Sequence, residues 1–201
     1  MARPKQRTPQ LRERVLAAAL ALLESGGTGA LTTRAVAQAA GTSVPAVYEL
    51  FGDKAGLVRE LFFTGFRRLH ERLVATPDSA DARADLVRFG LTFRAFALAE
   101  PALAQLMFSR PFAEFDPSPA DARAGAAVRD HIVERVSAAV KERLLDGDPV
   151  DIAHVLLATV SGLSVQEAGG WLGSSSASVE RRWRLAVDAV LRGLAPERAL
   201  S

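Results

Sequence analysis

The sequence has no cysteine and few aromatic side chains other than Phe, with one Tyr and two Trp among 201 residues. Without cysteine, the chain has no disulfide, no thiolate nucleophile and no cysteine-based zinc site. No segment alternates apolar and polar residues over enough positions to predict a β-sheet. No apolar run approaches the ~20 residues with which a helix crosses a bilayer. These absences argue against a disulfide scaffold, a β protein and a membrane-spanning protein.

Motifs of the common enzyme classes are also missing. The sequence contains no phosphate-binding loop and no dinucleotide fingerprint. The segment Gly162-Leu163-Ser164-Val165-Gln166 lacks the second glycine of a nucleophile elbow. Asp130, His131 and Glu134 stand at a spacing that does not suit a metal site. We therefore predict that the protein is not an enzyme and that it uses no cofactor and no metal ion.

The composition favours helices. Apolar residues make up 49% of the chain, and Ala and Leu are abundant, which suits helix better than sheet. A chain of 201 residues is long enough for one large or two small domains with a buried core. Gly and Pro divide it into segments of helical apolar spacing. We predict an all-α protein of about nine helices.

The segment from residue 31 to residue 57 predicts two short helices joined by a tight turn. Thr32 or Thr33 can cap the first helix, since a side-chain hydroxyl accepts an otherwise unsatisfied backbone N–H. Gly41 stands where a helix ends with positive φ. Ser43 can cap the next helix, and Pro45 lies in its first turn, where a missing N–H costs nothing. Two helices in this arrangement let one of them enter a DNA major groove.

The same segment resembles the DNA-binding signature of the tetracycline-repressor (TetR-like) family of bacterial transcription regulators. The matching residues, all in register, are Thr32, Val36-Ala37, Ala40-Gly41, Ser43, Tyr48, Phe51, Lys54 and Leu57. The resemblance covers residues 10–62, and beyond them only size and helicity agree. It implies a three-helix DNA-binding domain over residues 1–58 and a helical effector-binding and dimerisation domain over residues 59–201. It also implies a repressor that a small molecule releases from its operator.

The resemblance assigns roles to individual residues. The Tyr48 hydroxyl and the Lys54 ammonium would contact phosphates, with Thr32 or Thr33 helping. The residues expected to read bases are Arg34, Ser43, Val44, Pro45 and Ala46. Only Arg34 offers a bidentate partner for guanine, so DNA shape would carry much of the specificity. Alternatively, Tyr48 is a core aromatic and Arg34 is a solvated surface residue.

Glu49 and Leu50 depart from the family pattern. The family often has an aromatic or basic residue at the first position and a polar residue at the second. A carboxylate near the phosphate backbone is repulsive unless it accepts from a cytosine amine or pairs with an arginine. Alternatively, Glu49 is solvated at the end of the helix. The departure puts phosphate contacts at these two positions in doubt.

Charge is distributed unevenly along the chain. Residues 1–60 carry 8 Lys and Arg against 5 Asp and Glu, whereas the remainder is close to neutral. A basic N-terminal third suits binding to nucleic acid. A general preference for Arg, which outnumbers Lys 22 to 3, is the alternative explanation. The basic residues before the apolar run 15–23 resemble a signal peptide, but the helical spacing of Leu11, Val15 and Leu22 favours a packed first helix, and we expect a cytoplasmic protein.

The last two predicted helices carry apolar stripes that suit an interface between two subunits. The predicted dimer-interface residues are Ile152, Val155, Leu156, Val160, Leu163, Val179, Trp183, Val187 and Val190. A two-fold symmetric protein usually reads two half-sites of a palindromic operator in double-stranded DNA. The family resemblance also implies a homodimer formed by these helices. The alternative is that the stripes form the core of one subunit.

A small-molecule effector would bind among the helices of the second domain. The predicted pocket residues are Phe89, Phe93, Phe96, Met107, Phe108, Phe112 and Trp171. An aromatic row at helical spacing also suits an ordinary core. A constitutive architectural DNA-binding protein that senses no ligand is the remaining alternative.

Overall fold

The computed structural model describes residues 9–108 and 119–196, which form nine α-helices and no strand. The helices are α1 (Pro9–Ala30), α2 (Thr33–Ala39), α3 (Val44–Phe51), α4 (Lys54–Val74), α5 (Ala82–Ala99), α6 (Pro101–Met107), α7 (Pro119–Lys141), α8 (Pro149–Ala168) and α9 (Ser176–Gly193). The architecture confirms the predicted all-α fold.

The helices begin where the sequence offers caps. The Thr32 hydroxyl accepts a hydrogen bond from the backbone N–H three residues later at 3.1 Å, and Ser43 does the same at 3.4 Å. The Asp53 carboxylate accepts from the first turn of α4 at 2.8 Å. Each cap satisfies one backbone donor that the helix itself leaves without a partner. Gly41, between α2 and α3, has φ 62°, as the predicted tight turn requires.

α1 differs from the sequence expectation at its C-terminal end. The sequence predicts that the helix stops at Ser25 before two glycines, but the helical segment extends to Ala30 across a kink. The kink lies at Gly27, where φ is 63° and ψ is −165°. A helix cannot continue through this conformation, so the prediction of a break at the glycines was correct. It missed the short helical turn that follows the break.

α4 joins the N-terminal helices to the rest of the molecule. It packs against α1 and α3 at its start and against α5, α6 and α7 further along. Leu57 and Leu61 are buried toward its start, and Leu69 and Leu73 toward its end. The predicted domain boundary at residue 58 falls inside this helix, which therefore contacts helices on both sides of that boundary.

α5 lies at the centre of the C-terminal helices. At Gly90, an added Cβ would lie 2.9 Å from a methyl group of Val187, so α5 and α9 approach closely there. Arg94 forms an ion pair with Glu167 at 2.8 Å, and the Trp183 indole N–H donates to the same carboxylate at 2.7 Å. Hydrogen bonding to Glu167 raises the pKa of Arg94. This polar group ties α5, α8 and α9 together beneath the surface.

Candidate functional site

α2, α3 and the first turn of α4 expose most of the predicted DNA contacts. Arg34, Ser43, Pro45 and Lys54 are exposed, and Tyr48 keeps 49% of its surface accessible. Thr32 is exposed and caps α2, while the partly buried residues of the set are Thr33, Val44 and Ala46. Tyr48 is therefore not a core aromatic in this chain. The exposed set contains donors for phosphate and one guanidinium for a base edge.

The apolar face of α3 fixes which side of the helix is exposed. Val47 and Phe51, four residues apart, are buried against the neighbouring helices. Residues on the opposite side of a helix then point away from that core. Val44 also packs partly against the core, so it presents less surface outward than Pro45. The local sequence pattern alone accounts for this orientation.

Arg12 of α1 holds the C-terminal end of α3 in place, and the sequence did not predict this role. Its guanidinium donates to the Leu50 carbonyl at 3.2 Å and lies 4.6 Å from the centre of the Phe51 ring. It also forms an ion pair with Glu60 of α4, which Arg67 contacts at 2.6 Å. These partners stand 38 and 48 positions from Arg12, so no local pattern reveals them. Arg12 thereby connects three helices behind the exposed face of α3.

Those predicted effector residues that the structure describes do not surround one cavity. Phe89, Phe93, Phe96 and Met107 are at most 3% exposed and pack into the core. Trp171 is 82% exposed on the loop after α8. The predicted pocket residue Phe112 lies outside the described residues. The aromatic row at helical spacing therefore forms core in this structure, as the alternative interpretation proposed.

An open cleft of about 790 Å³ lies between α1, α6 and the C-terminal ends of α5 and α8. Of the predicted effector residues, Phe108 lines it. The other lining residues are Leu23, Glu24, Gly27, Ala97, Leu98, Pro101, Ala102, Ala104, Gln105, Ser161, Ser164, Val165, Glu167, Ala168 and Gly169. Its volume is in the range of small-molecule sites, roughly 300–1,000 Å³.

A second, much smaller polar cavity of about 10 Å³ lies between α4, α5 and α7. This is about the space of one water molecule. Burial lowers the pKa of the adjacent His131, and the nearby Arg135 and His70 lower it further. Burial alone would raise the pKa of Asp85, but hydrogen bonds from Ser79 and Arg88 outweigh it and lower the pKa. The cavity is too small for an organic effector.

The predicted dimer-interface residues lie at different depths in this chain. Six of them are buried within it, namely Ile152, Leu156, Val160, Val179, Trp183 and Val187. Leu163 and Val190 are partly buried, and Val155 is 47% exposed. The stripes thus belong mainly to the core of one subunit, because α8 and α9 pack on each other and on α5.

A different face of α8 and α9 is uncovered. On α8 it contains Val155, Ala158, Gly162 and Val165, which recur at helical spacing. On α9 it includes the exposed Leu185. By length and composition alone, α8 could also span a membrane, and 22% of its most apolar 18-residue window is buried. That is weak evidence, since a helix of a soluble protein with apolar surface on two sides gives the same pattern.

Comparison with known families agrees with the site on α2 and α3. The profile described as "Bacterial regulatory proteins, tetR family" matches residues 15–61. The profile described as "Tetracyclin repressor-like, C-terminal domain" matches residues 86–190. The chain belongs to the TetR family. It is a transcription regulator with a helix-turn-helix DNA-binding domain, as the motif at residues 31–57 predicted.

Several solved structures share the fold of this chain. A protein of unknown function from Rhodococcus sp. RHA1 is 31% identical, with a TM-score of 0.81 over 96% of this chain and 100% of that chain. The fatty acid degradation regulator FadR from Bacillus halodurans is 14% identical, with a TM-score of 0.72 over 97% and 99%. A TetR variant from Acinetobacter baumannii AYE, in complex with minocycline, is 22% identical, with a TM-score of 0.64 over 89% and 93%. No curated protein matches the sequence.

Membership of the TetR family gives the general class of this protein. TetR-family regulators are soluble proteins that bind DNA and act as dimers, and some of their structures contain small-molecule ligands. They are generally not enzymes. The DNA sequence that this regulator binds depends on its own residues.

Proposed function

We propose that this TetR-family regulator is a cytoplasmic, homodimeric repressor that leaves a palindromic operator when a small molecule binds. The exposed face of α2 and α3, with Tyr48 on α3 and Lys54 at the start of α4, is the observation that carries the proposal. Its side chains are held on a buried apolar scaffold, so the face is preorganised for a duplex. The division into domains at residue 58 is part of the same proposal.

In this proposal, phosphate contacts supply most of the affinity, and base contacts supply specificity. Lys54 and Tyr48 bind phosphates, with Thr32 or Thr33 adding a hydroxyl. The base-reading residues are Arg34, Ser43, Val44, Pro45 and Ala46. The exposure of Arg34 supports its assignment to a base edge, where a guanidinium matches the two acceptors of guanine.

The uncovered faces of α8 and α9 support the dimer. Val155, Val165 and Leu185 expose apolar surface there, and large exposed apolar side chains on two packed helices favour a protein partner. A second copy would bury the same patch on both subunits about a two-fold axis. The two reading faces would then meet half-sites about 34 Å apart or at a multiple of that distance.

The cleft supports response to a small molecule. A ligand can release DNA only if it binds the released conformation more tightly than the DNA-bound one. The cleft lies between α1, which belongs to the DNA-binding part, and the C-terminal helices, so its shape depends on how these parts are arranged. The alternative is a constitutive DNA-binding protein, in which no compound raises the melting midpoint.

Footprinting tests the proposed function. The full-length protein is titrated onto DNA that flanks its own gene, at fixed salt, with random duplex as the control. We expect protection of two symmetric half-sites at a concentration well below that needed for random DNA. Equal affinity for flanking and random DNA would contradict sequence-specific repression.

A further inference from the structure

The cleft has one wall made by the DNA-binding part of the protein. Leu23, Glu24 and Gly27 at the end of α1 line it, opposite Gln105 of α6 and Ser164 of α8. α1 packs directly on α2 and α4, which carry or adjoin the DNA-contacting residues. A molecule in the cleft therefore touches the DNA-binding part itself, with no intervening helix.

The cleft gives a ligand room without rearranging the core. Phe93 and Phe96 are fully buried, and Phe89 is 3% exposed. The polar cavity near Phe89 holds about 10 Å³, whereas the cleft holds about 790 Å³. A drug-sized molecule fits the second space and not the first.

The side chains that line the cleft favour a positively charged ligand over a negatively charged one. Its described residues include two carboxylates, Glu24 and Glu167, and no Lys, Arg or His. Glu167 is already paired with Arg94 at 2.8 Å and accepts from Trp183 at 2.7 Å. Glu24 forms an ion pair with no described residue and is exposed. An anionic ligand would meet uncompensated negative charge here, whereas a cation would meet a carboxylate.

The remaining surface of the cleft is mainly apolar. Leu23, Leu98 and Phe108 contribute side-chain carbon, and several alanines lie between them. Burial of ligand methylenes against such a surface strengthens binding about threefold to fourfold for each one. The cleft thus combines a large apolar area with one available negative charge on α1.

We propose that the effector of this regulator is an amphipathic organic cation that binds in this cleft, with its apolar body against α6 and α8 and its cationic group at Glu24. The inference rests on the proposed function, since it names the ligand class and the site of the same switch. Gly27 interrupts α1 with φ 63° three residues after Glu24, so the residue that contacts the cation lies in the last turn before a break in the helix. Occupation of the cleft separates the end of α1 from α6 and tilts the reading face that α1 supports.

Isothermal titration calorimetry on the full-length protein, without DNA, tests the ligand class. The probes are decyltrimethylammonium, decanol and decanoate, all used as monomers below their aggregation concentrations. We expect the cation to bind most tightly and decanoate most weakly. Glu24→Gln should weaken the cation about threefold to fivefold, as expected for an exposed charge pair, and leave decanol unchanged. Glu13→Gln, an exposed position on α1 outside the cleft, is the matched control.

A variant that fills the cleft tests whether the cation binds there. Ala168→Trp places a large side chain at an exposed lining position, so the fold does not have to accommodate it in the core. We expect it to weaken the cation at least tenfold, while Ala138→Trp, exposed on α7, has no effect. In operator titrations, saturating cation should weaken DNA binding by the wild type and not by Ala168→Trp.

The outcomes separate the inference from the proposed function. Binding of decanoate at least as tight as that of the cation, or cation binding unchanged in both Glu24→Gln and Ala168→Trp, overturns the inference. Absence of binding by all three probes overturns it as well, and intact operator binding then leaves the DNA-binding function standing. Loss of operator specificity with cation binding intact overturns the repressor proposal and leaves the ligand site standing.

Discussion

α3 and α8 each leave one side uncovered, and the two uncovered sides differ in chemistry. α3 exposes Tyr48, and Lys54 follows at the first residue of α4, so this side offers a hydroxyl and an ammonium group. The uncovered stripe of α8 has Val155 and Val165 with Ala and Gly between them. Donors and cations suit a hydrated polyanion such as DNA, whereas an apolar stripe suits a second protein surface.

The comparison shows how two interfaces can serve one function. In the proposed function, the face on α3 would bind weakly unless two copies act together, because its tip has few hydrogen-bonding groups. The stripe on α8 would supply the contact with the second copy. Specific binding to a palindrome then depends on both faces, although neither contacts the other.

The largest expected effect comes from charge on the α8 stripe. Val155→Glu should fold normally, since Val155 is 47% exposed, but it should prevent dimerisation by burying unpaired charge at the two-fold interface. Affinity for a palindromic operator should fall by about 100-fold or more, because the second half-site is no longer bound intramolecularly. Sedimentation velocity and operator titration measure the two effects. Ala138→Glu on α7 is the control. If Val155→Glu still forms a dimer, α8 is not part of the interface.

The next effect separates the two kinds of contact on the α2–α3 face. Arg34→Ala should reduce the free energy of operator binding by about 1–3 kcal/mol, through the loss of contact with one base pair. It should also relax the base preference at that position. Lys54→Ala should weaken specific and random DNA about equally and reduce the slope of log affinity against log salt by about one. Titrations on operator, single-substituted operators and random duplex at several salt concentrations distinguish them. Equal losses on operator and random DNA for both variants would contradict this division of roles.

A smaller effect is expected behind the α3 face. Arg12→Ala removes the bond to the Leu50 carbonyl, the contact with the Phe51 ring and the ion pair with Glu60. Together these should stabilise the fold by about 1–2 kcal/mol. Urea unfolding measures the loss, and Arg14→Ala, an exposed neighbour on α1, is the control. Equal stability of the two variants would show that Arg12 does not hold α3.

The sequence predicted the α2–α3 region well because its signals are local. Thr32, Gly41 and Ser43 act within one turn of their own positions, through caps and a positive φ. Val47 and Phe51 follow the helical period and are buried as that period requires. The exposed side of α3 is then fixed without any knowledge of the rest of the chain.

The sequence could not assign the partner of each apolar face in α8. Periodicity showed that Leu156 and Val160 would be buried, but not that they would be buried within one subunit. Helix α8 has apolar residues on two sides, and the packing of α5 and α9 decides which side is covered. The cleft was missed for the same reason, since Glu24 and Glu167 come together only in the folded chain.

The smallest expected effect is a pH dependence of stability at His131, which involves neither the α3 face nor the α8 stripe. His131 contacts the side chain of His70 on α4, far in sequence from the reading helix and the stripe. Its pKa is lowered by burial, by Arg135 and by His70, so the folded chain favours the neutral ring and the unfolded chain binds the proton first. Stability should therefore fall slightly as pH drops below about 6.5, the unfolded value, and His131→Gln should remove this dependence.

Asp85, whose folded pKa is lowered, contributes only as pH falls below its unfolded value near 3.8. Urea unfolding between pH 8 and pH 5 thus isolates the histidine, with the exposed His154→Gln as control; an identical pH dependence in wild type and His131→Gln would rule out His131 as its source.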